Sequence, residues 1–134
     1  MRMRKLDQRC NLSTVKDGRG IILTFFPEKP IVEFNLLFTK AGETRGFHYH
    51  EEFDEYALIA SGHGVYVEKG EDGKEYFLKV AMGDCVYFPR GTPHTLYALV
   101  DMRAVAMLTK KWDDCKRPIV KVEEEERIEK PYPF

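Results

Sequence analysis

Glycine and proline recur so evenly along this chain that no segment before residue 109 keeps a helical period for three turns. The breaks fall at Gly18/Gly20, Pro27/Pro30, Gly42/Gly46, Gly62/Gly64, Gly70/Gly73, Gly83 and the Pro89–Pro93 stretch. The short runs between them are rich in Val, Ile, Phe, Tyr and Leu, which is how strands read. Strands are therefore expected at Ile21–Phe26, Ile31–Phe38, Phe47–His50, Glu55–Ala60, Val65–Glu68, Glu75–Val80, Asp84–Phe88, His94–Leu99 and Arg103–Thr109. Period-two alternation is clearest where Val32, Phe34, Leu36 and Phe38 share one face and Glu33, Asn35 and Thr39 the other. Glu71-Asp72-Gly73-Lys74 carries the Asp-Gly signature of a tight hairpin. The expected class is all-β, a barrel or two-sheet sandwich that closes its edges on itself.

The 134 residues suit one domain, and 43% apolar with 32% charged content allows one core beneath a solvated surface. A barrel domain is expected over residues 1–115. Residues 116–134, with Glu123-Glu124-Glu125-Glu126-Arg127 and the Pro131-Tyr132-Pro133-Phe134 end, read as a charged tail. Twenty-one basic and 22 acidic residues leave a net charge of -1, so no positive field draws a nucleic acid. No apolar run is long enough to span a bilayer, and the basic, polar start does not read as a signal peptide. Cys10, Cys85 and Cys115 have unrelated spacings and form no disulfide framework. The expected setting is a reducing cytoplasm, with no nucleic-acid or membrane partner.

Only four histidines occur, so their placement is informative. His48 and His50 are two apart on an expected strand, which turns both imidazoles to one face. Glu55 opens the next strand after a short acidic turn, from where its carboxylate can fold back toward the same point. His94 opens a further strand after the rigid Pro89-Arg90-Gly91-Thr92-Pro93 turn. Three imidazoles and one carboxylate on one face suit a single first-row divalent metal with positions left for water or substrate. The ion is expected to be Mn, Fe, Co, Ni, Cu or Zn, a choice that the donor set leaves open. His63, between two glycines, reads as a surface residue, and Cys85 as a small buried hydrophobe.

Gly42-x5-His48-x-His50-x4-Glu55-x6-Gly62 resembles the first motif of the cupin superfamily, and Gly83-x5-Pro89-x-Gly91-x2-His94 resembles the second. Ala98 stands where that pattern usually has Asn, which is not a ligand position. The resemblance implies a double-stranded β-helix, or jelly-roll barrel, a metal held by His48, His50, Glu55 and His94, and a homodimer. An apolar edge strand such as Ile21–Phe26 or Ile31–Phe38 would need covering in any case. Asp17-Gly18-Arg19-Gly20 followed by Arg45-Gly46-Phe47-His48-Tyr49-His50 is similar to cupins acting on nucleotide-linked sugars, including 3,4-ketoisomerases. In that subfamily the histidine pair does acid–base work and the metal is often absent. The retained Glu55 and His94 depart from that pattern.

The expected function is thus an isomerase or epimerase of carbohydrate metabolism acting on a small hydroxylated or keto substrate such as a sugar or sugar nucleotide. An iron(II)-dependent dioxygenase on a small thiol, diketone or aromatic, and a non-catalytic metal or small-molecule-binding module, are the alternatives. Arg45 is expected to contact a substrate phosphate or carboxylate, and Glu33 and Asn35 to line the pocket. Tyr49 and Tyr97 have the opposite strand parity to His48 and His94 and should point away. Trp112 is expected to pack the end of the last strand against the barrel.

Overall fold

A computed structural model describes residues 1–7 and 14–122, with the backbone alone for 14–17. Cys10, the acidic run and the Pro-Tyr-Pro-Phe end lie outside the described residues. Apart from one short 3-10 turn, the regular structure of the described chain is all strand: β1 Arg4–Lys5, β2 Thr14–Asp17, β3 Gly20–Leu23, β4 Glu33–Thr39, β5 His48–Tyr49, β6 Glu55–Ser61, β7 His63–Lys69, β8 Glu75–Ala81, β9 Cys85–Phe88, β10 His94–Ala98, β11 Met102–Leu108 and β12 Val120–Lys121. All the pairings are antiparallel. One sheet runs β1-β9-β6-β11-β4, the other β12-β5-β10-β7-β8, and β2-β3 forms a separate hairpin. Each strand expected from the sequence is present, with ends that differ by a few residues. The two facing five-stranded sheets make the all-β jelly-roll.

Between the sheets lie Met3, Ala57, Ile59, Tyr66, Val80, Val86, Phe88, Leu96, Ala98, Met102 and Ala104. A second apolar cluster, Phe47, Val65, Val67 and Val122 with Tyr49 and Tyr97 against it, lies on the opposite parity of β5, β7 and β10. That places Tyr49 and Tyr97 away from the histidines, as alternation requires. The Asp72-Gly73 hairpin forms as expected: Gly73 takes φ 79°, and the Gly70 N–H donates to the Lys74 carbonyl at 2.8 Å. Gly64 serves close approach, since a Cβ there would collide with the Tyr97 carbonyl and the Met102 sulfur.

Two features lack a strand-length pattern in the sequence. The N-terminal residues enter the barrel because Glu68, 1% exposed on β7, accepts the Arg2 N–H at 2.8 and 2.9 Å and the Met3 N–H at 2.7 Å. Residues 119–122, read as the head of the tail, instead lie on the barrel: Val120 pairs with Tyr49, Lys121 with His48, and Val120 and Val122 are buried. The Val-Lys-Val alternation gives this short stretch one face to bury and one to solvate.

On β4 the alternation turns Asn35 and Leu37 into the barrel and leaves Phe34, Leu36 and Phe38 outside, Phe34 being 75% exposed. This strand is the edge of its sheet. No helix in the described chain is long and apolar enough to cross a membrane.

Candidate metal centre

Antiparallel pairing sets His94 of β10 directly across from His48 of β5. His50 follows two residues after His48 on the same face. The ring centroids of His48 are 5.0 Å from His50 and 4.8 Å from His94. One ring nitrogen from each of the three histidines lies within 4.8 Å of the others.

Each ring is held by its other nitrogen. Nδ1 of His48, His50 and His94 faces the carbonyls of Gly46, Pro118 and Thr92 at 3.2, 2.8 and 2.8 Å. A carbonyl only accepts, so Nδ1 carries the proton in each ring and the Nε2 lone pair is left free. That is the tautomer a metal ligand needs, fixed by the surrounding backbone. His50 Nε2 is buried and makes no hydrogen bond. Glu55 Oε1 is 3.1 Å from it, close enough for charge attraction but outside hydrogen-bond geometry. A buried nitrogen lone pair without a donor, beside two more imidazoles and a carboxylate, fits a divalent cation. His48, His50 and His94 would hold it, with Glu55 beside His50 as the available oxygen donor.

Burial keeps two of the three rings neutral, while His50, raised beside Glu55, is the ring from which a metal must displace a proton. Burial, reinforced by the neighbouring His94 and His50, pushes His48 down to about 4, and burial also lowers His94. Both rings are thus neutral in the folded protein at ordinary pH, as ligation requires. Burial alone would lower His50 and raise Glu55, but their mutual attraction wins, so His50 rises and Glu55 falls. The depressed His48 and His94 take up protons on unfolding, so their contribution makes stability fall as pH drops from 6.5 toward 4. Loss of the ionised Glu55 below its lowered value acts in the same direction. The raised His50 acts oppositely, with a contribution that fades as pH rises through its folded value. Urea titrations of metal-free protein should give a midpoint that falls between pH 6.5 and 4. A His48→Asn variant should show a shallower fall, and an unchanged slope would contradict the assignment.

The cluster forms the floor of a cavity of about 250 Å³. Its wall is mostly apolar, from Leu37, Tyr66, Leu96, Leu108, Trp112 and Ile119. Of the residues expected to contact substrate, Asn35 and Arg45 line it. The Arg45 guanidinium donates to Thr39 Oγ1 at 2.8 Å and to the Phe38 carbonyl, leaving further N–H groups for a ligand. Glu33 lies on the same strand face beyond the lining residues, where it accepts from the Trp112 N–H at 3.0 Å and the Asn35 amide at 2.9 Å. The apolar wall was not singled out from the sequence, because inward-facing Leu and Ile look the same over a cavity as over a core. His63 is exposed, and Cys85 is buried with its thiol pushed up to about 11 by burial.

Trp112 belongs to a short 3-10 turn, Trp112–Asp114, at the cavity mouth, its ring centroid 6.1 Å from that of His50. It is 37% exposed, not sealed against the barrel end as the sequence suggested. Trp112→Ala should therefore cost under about 2 kcal/mol, short of the ~3–5 kcal/mol of a fully buried Trp. As the one tryptophan of the chain, its emission should be strongly quenched when Cu(II) enters the site, and a metal titration without quenching would argue against this placement.

A jelly-roll barrel with a convergent histidine cluster on one sheet's inner face defines a class of metal-capable β-barrel domains. Residues 36–109 match the cupin domain, over half of the chain, and the chain belongs to the cupin family. Acireductone dioxygenase of Geobacillus kaustophilus is 38% identical over 61 residues, which is 45% of this chain and 33% of that protein. The Bacillus subtilis enzyme of the same name is 33% identical over 60 residues, with the same coverage. The match thus spans about a third of these relatives. Among solved structures, the WlaRB TDP-quinovose 3,4-ketoisomerase of Campylobacter jejuni superposes with a TM-score of 0.75 at 13% identity, covering 92% of this chain and 95% of that one. The dTDP-4-dehydrorhamnose 3,5-epimerase of Sulfolobus tokodaii superposes at 0.68 and 17% identity, covering 99% and 88%. At these identities the shared property is the fold.

Proposed function

We propose that this cupin is a metal-dependent enzyme whose substrate is a small hydroxylated or keto compound that presents adjacent oxygens to the ion, with dioxygenase chemistry as the favoured reaction. The observation that carries the reading is the trio of imidazoles, each locked by a backbone carbonyl with Nε2 left free, at the floor of a small apolar cavity. A bound divalent ion supplies Lewis acidity toward substrate oxygens and, if iron, a redox partner for dioxygen. The chain's own groups do the rest. Leu37, Leu96, Leu108 and Ile119 exclude water and receive an apolar substrate portion. Asn35 and Arg45 orient its polar end. Glu55, ionised beside His50, completes the donor set with an oxygen.

A cavity of about 250 Å³ falls below the range of drug-sized sites, so the nucleotide part of a sugar nucleotide would have to sit outside it. This, with the sequence similarity to acireductone dioxygenases, supports oxygen chemistry over sugar isomerisation. Isomerisation or epimerisation of a keto sugar stays as the second reading, supported by the Arg45 N–H groups at the cavity wall. The test is oxygen consumption by anaerobically Fe(II)-loaded protein given small enediols, diketones and thiols, beside solvent-deuterium incorporation into keto sugars and their nucleotides. Oxygen uptake with an enediol supports the first reading. Deuterium incorporation without uptake supports the second. Neither, with metal bound, would leave a binding module.

The exposed Phe34, Leu36 and Phe38 row on edge strand β4 supports a homodimer, which sedimentation at several concentrations would test. A strict monomer would contradict it. Balanced charge supports the absence of a nucleic-acid partner, and a cytoplasmic setting is proposed on cysteine usage.

A further inference from the structure

The segment that leaves β11 returns past the cavity, lining it and meeting the histidine cluster at two places. Trp112 and Ile119 line the cavity, the Pro118 carbonyl accepts from His50 Nδ1 at 2.8 Å, and Lys121 pairs with His48. Glu33 holds the strap's start through the Trp112 N–H at 3.0 Å and Glu51 lies 3.8 Å from the Arg117 guanidinium, but one side chain ties its two ends together. Glu52, on the acidic turn between His50 and Glu55, uses both carboxylate oxygens: Oε1 takes Lys110 Nζ at 3.1 Å, and Oε2 takes the Arg117 N–H at 2.8 Å. Lys110 begins the strap and Arg117 immediately precedes Pro118, so the carboxylate closes the loop between them. Glu52's side chain is half-buried, 22% exposed, against a more open Lys110. Without it, Pro118 is held from the C-terminal side by the two residue pairs of β12 and the Val122 N–H on the Phe47 carbonyl, and from the other side, among the described residues, only by the exposed Glu51–Arg117 pair and the more distant Glu33–Trp112 bond.

We infer that Glu52 is a positioning residue: by clasping the strap it keeps the Pro118 carbonyl on His50 Nδ1, and so fixes the tautomer and aim of that ring and the closed wall at Ile119. Its relevance to metal binding rests on the reading of His50 as a ligand, whereas its hold on the ring is a property of the chain alone. Hydrogen-bonded partners of this kind behind a ligating imidazole typically account for a ten- to hundredfold share of metal affinity. Glu52 neither lines the cavity nor belongs to the clustered ligand residues.

The experiment compares wild type, Glu52→Ala, Glu52→Gln and, as a surface control, Glu28→Ala, which loses only an exposed pair with Arg4. In metal-free protein, nitrogen-resolved NMR should show a slowly exchanging His50 Nδ1–H in wild type and Glu28→Ala. Glu52→Ala should lose it together with hydrogen-exchange protection at Arg117 and Val122, while Glu52→Gln, which keeps one acceptor, should be intermediate. Zn(II) titration should then give a Kd at least tenfold weaker for Glu52→Ala and unchanged for Glu28→Ala. Retention of the His50 signal and of strap protection in Glu52→Ala would overturn the inference. If wild type takes up no zinc, the metal reading fails, and the NMR and exchange comparison still decides the positioning role.

Discussion

His94→Ala should abolish stoichiometric metal binding, weakening the Kd for Zn(II) by about 100-fold or more, or about 2.7 kcal/mol. His94 is buried, its ring stacks on Phe88 at 4.1 Å, and its Nδ1 is tied to Thr92, so the metal-facing nitrogen has no freedom to be replaced by a neighbour. His50→Ala should behave alike. His48→Ala should show the same loss at lower structural cost, because His48 is only half-buried. In each case far-ultraviolet circular dichroism should remain that of the β-barrel, since the core between the sheets is built from apolar side chains and meets these rings mainly where His94 stacks on Phe88. Calorimetric titration decides the matter: wild-type stoichiometry in both His50→Ala and His94→Ala would defeat the assignment.

Glu68→Ala should be strongly destabilising although Glu68 is not one of the clustered ligand residues. The carboxylate lies on β7 opposite His94 and takes the N–H groups of Arg2 and Met3, which places Met3 in the core and β1 alongside β9. Hydrogen bonds to a charged group contribute about 1.5–3 kcal/mol each, and removing the acceptor leaves the Met3 N–H buried and unpaired. A loss of about 3 kcal/mol is expected, with Glu68→Gln losing less because one acceptor oxygen remains. Urea denaturation measures it, and amide exchange should show residues 2–5 opening ahead of the barrel. A shift below about 0.5 kcal/mol, the size of an ordinary surface change, would show that the N-terminal strand is not held this way.

The barrel was legible because its strands are bounded by residues whose backbone preferences act locally. The Asp72-Gly73 turn, the Pro89–Pro93 corner and the alternation of β4 each dictate conformation without help from distant contacts. The histidine cluster was legible for the same reason: strand parity puts His48 and His50 on one face, and only the pairing with β10 was needed to bring in His94. The N-terminal pair Arg4–Lys5 could not be read as a strand, because it is two charged residues whose pairing depends on Glu68, more than sixty residues away. Residues 119–122 were concealed by the charge that follows them, although Val120-Lys121-Val122 carries a short alternating signal. Glu52 looked like one more acid in a solvated turn. Its role depends on where the chain returns after β11, which local sequence does not encode.

Convergence of His48, His50 and His94 on one divalent cation would be seen by anomalous X-ray scattering from crystals grown with Mn(II) or Zn(II), collected on both sides of the metal edge. The expected result is one strong peak per chain at about 2 Å from Nε2 of all three histidines, with Glu55 as the fourth donor and with Nδ1 still on the carbonyls of Gly46, Pro118 and Thr92. A map with no peak between these rings at saturating metal, or with the peak elsewhere on the chain, would contradict it.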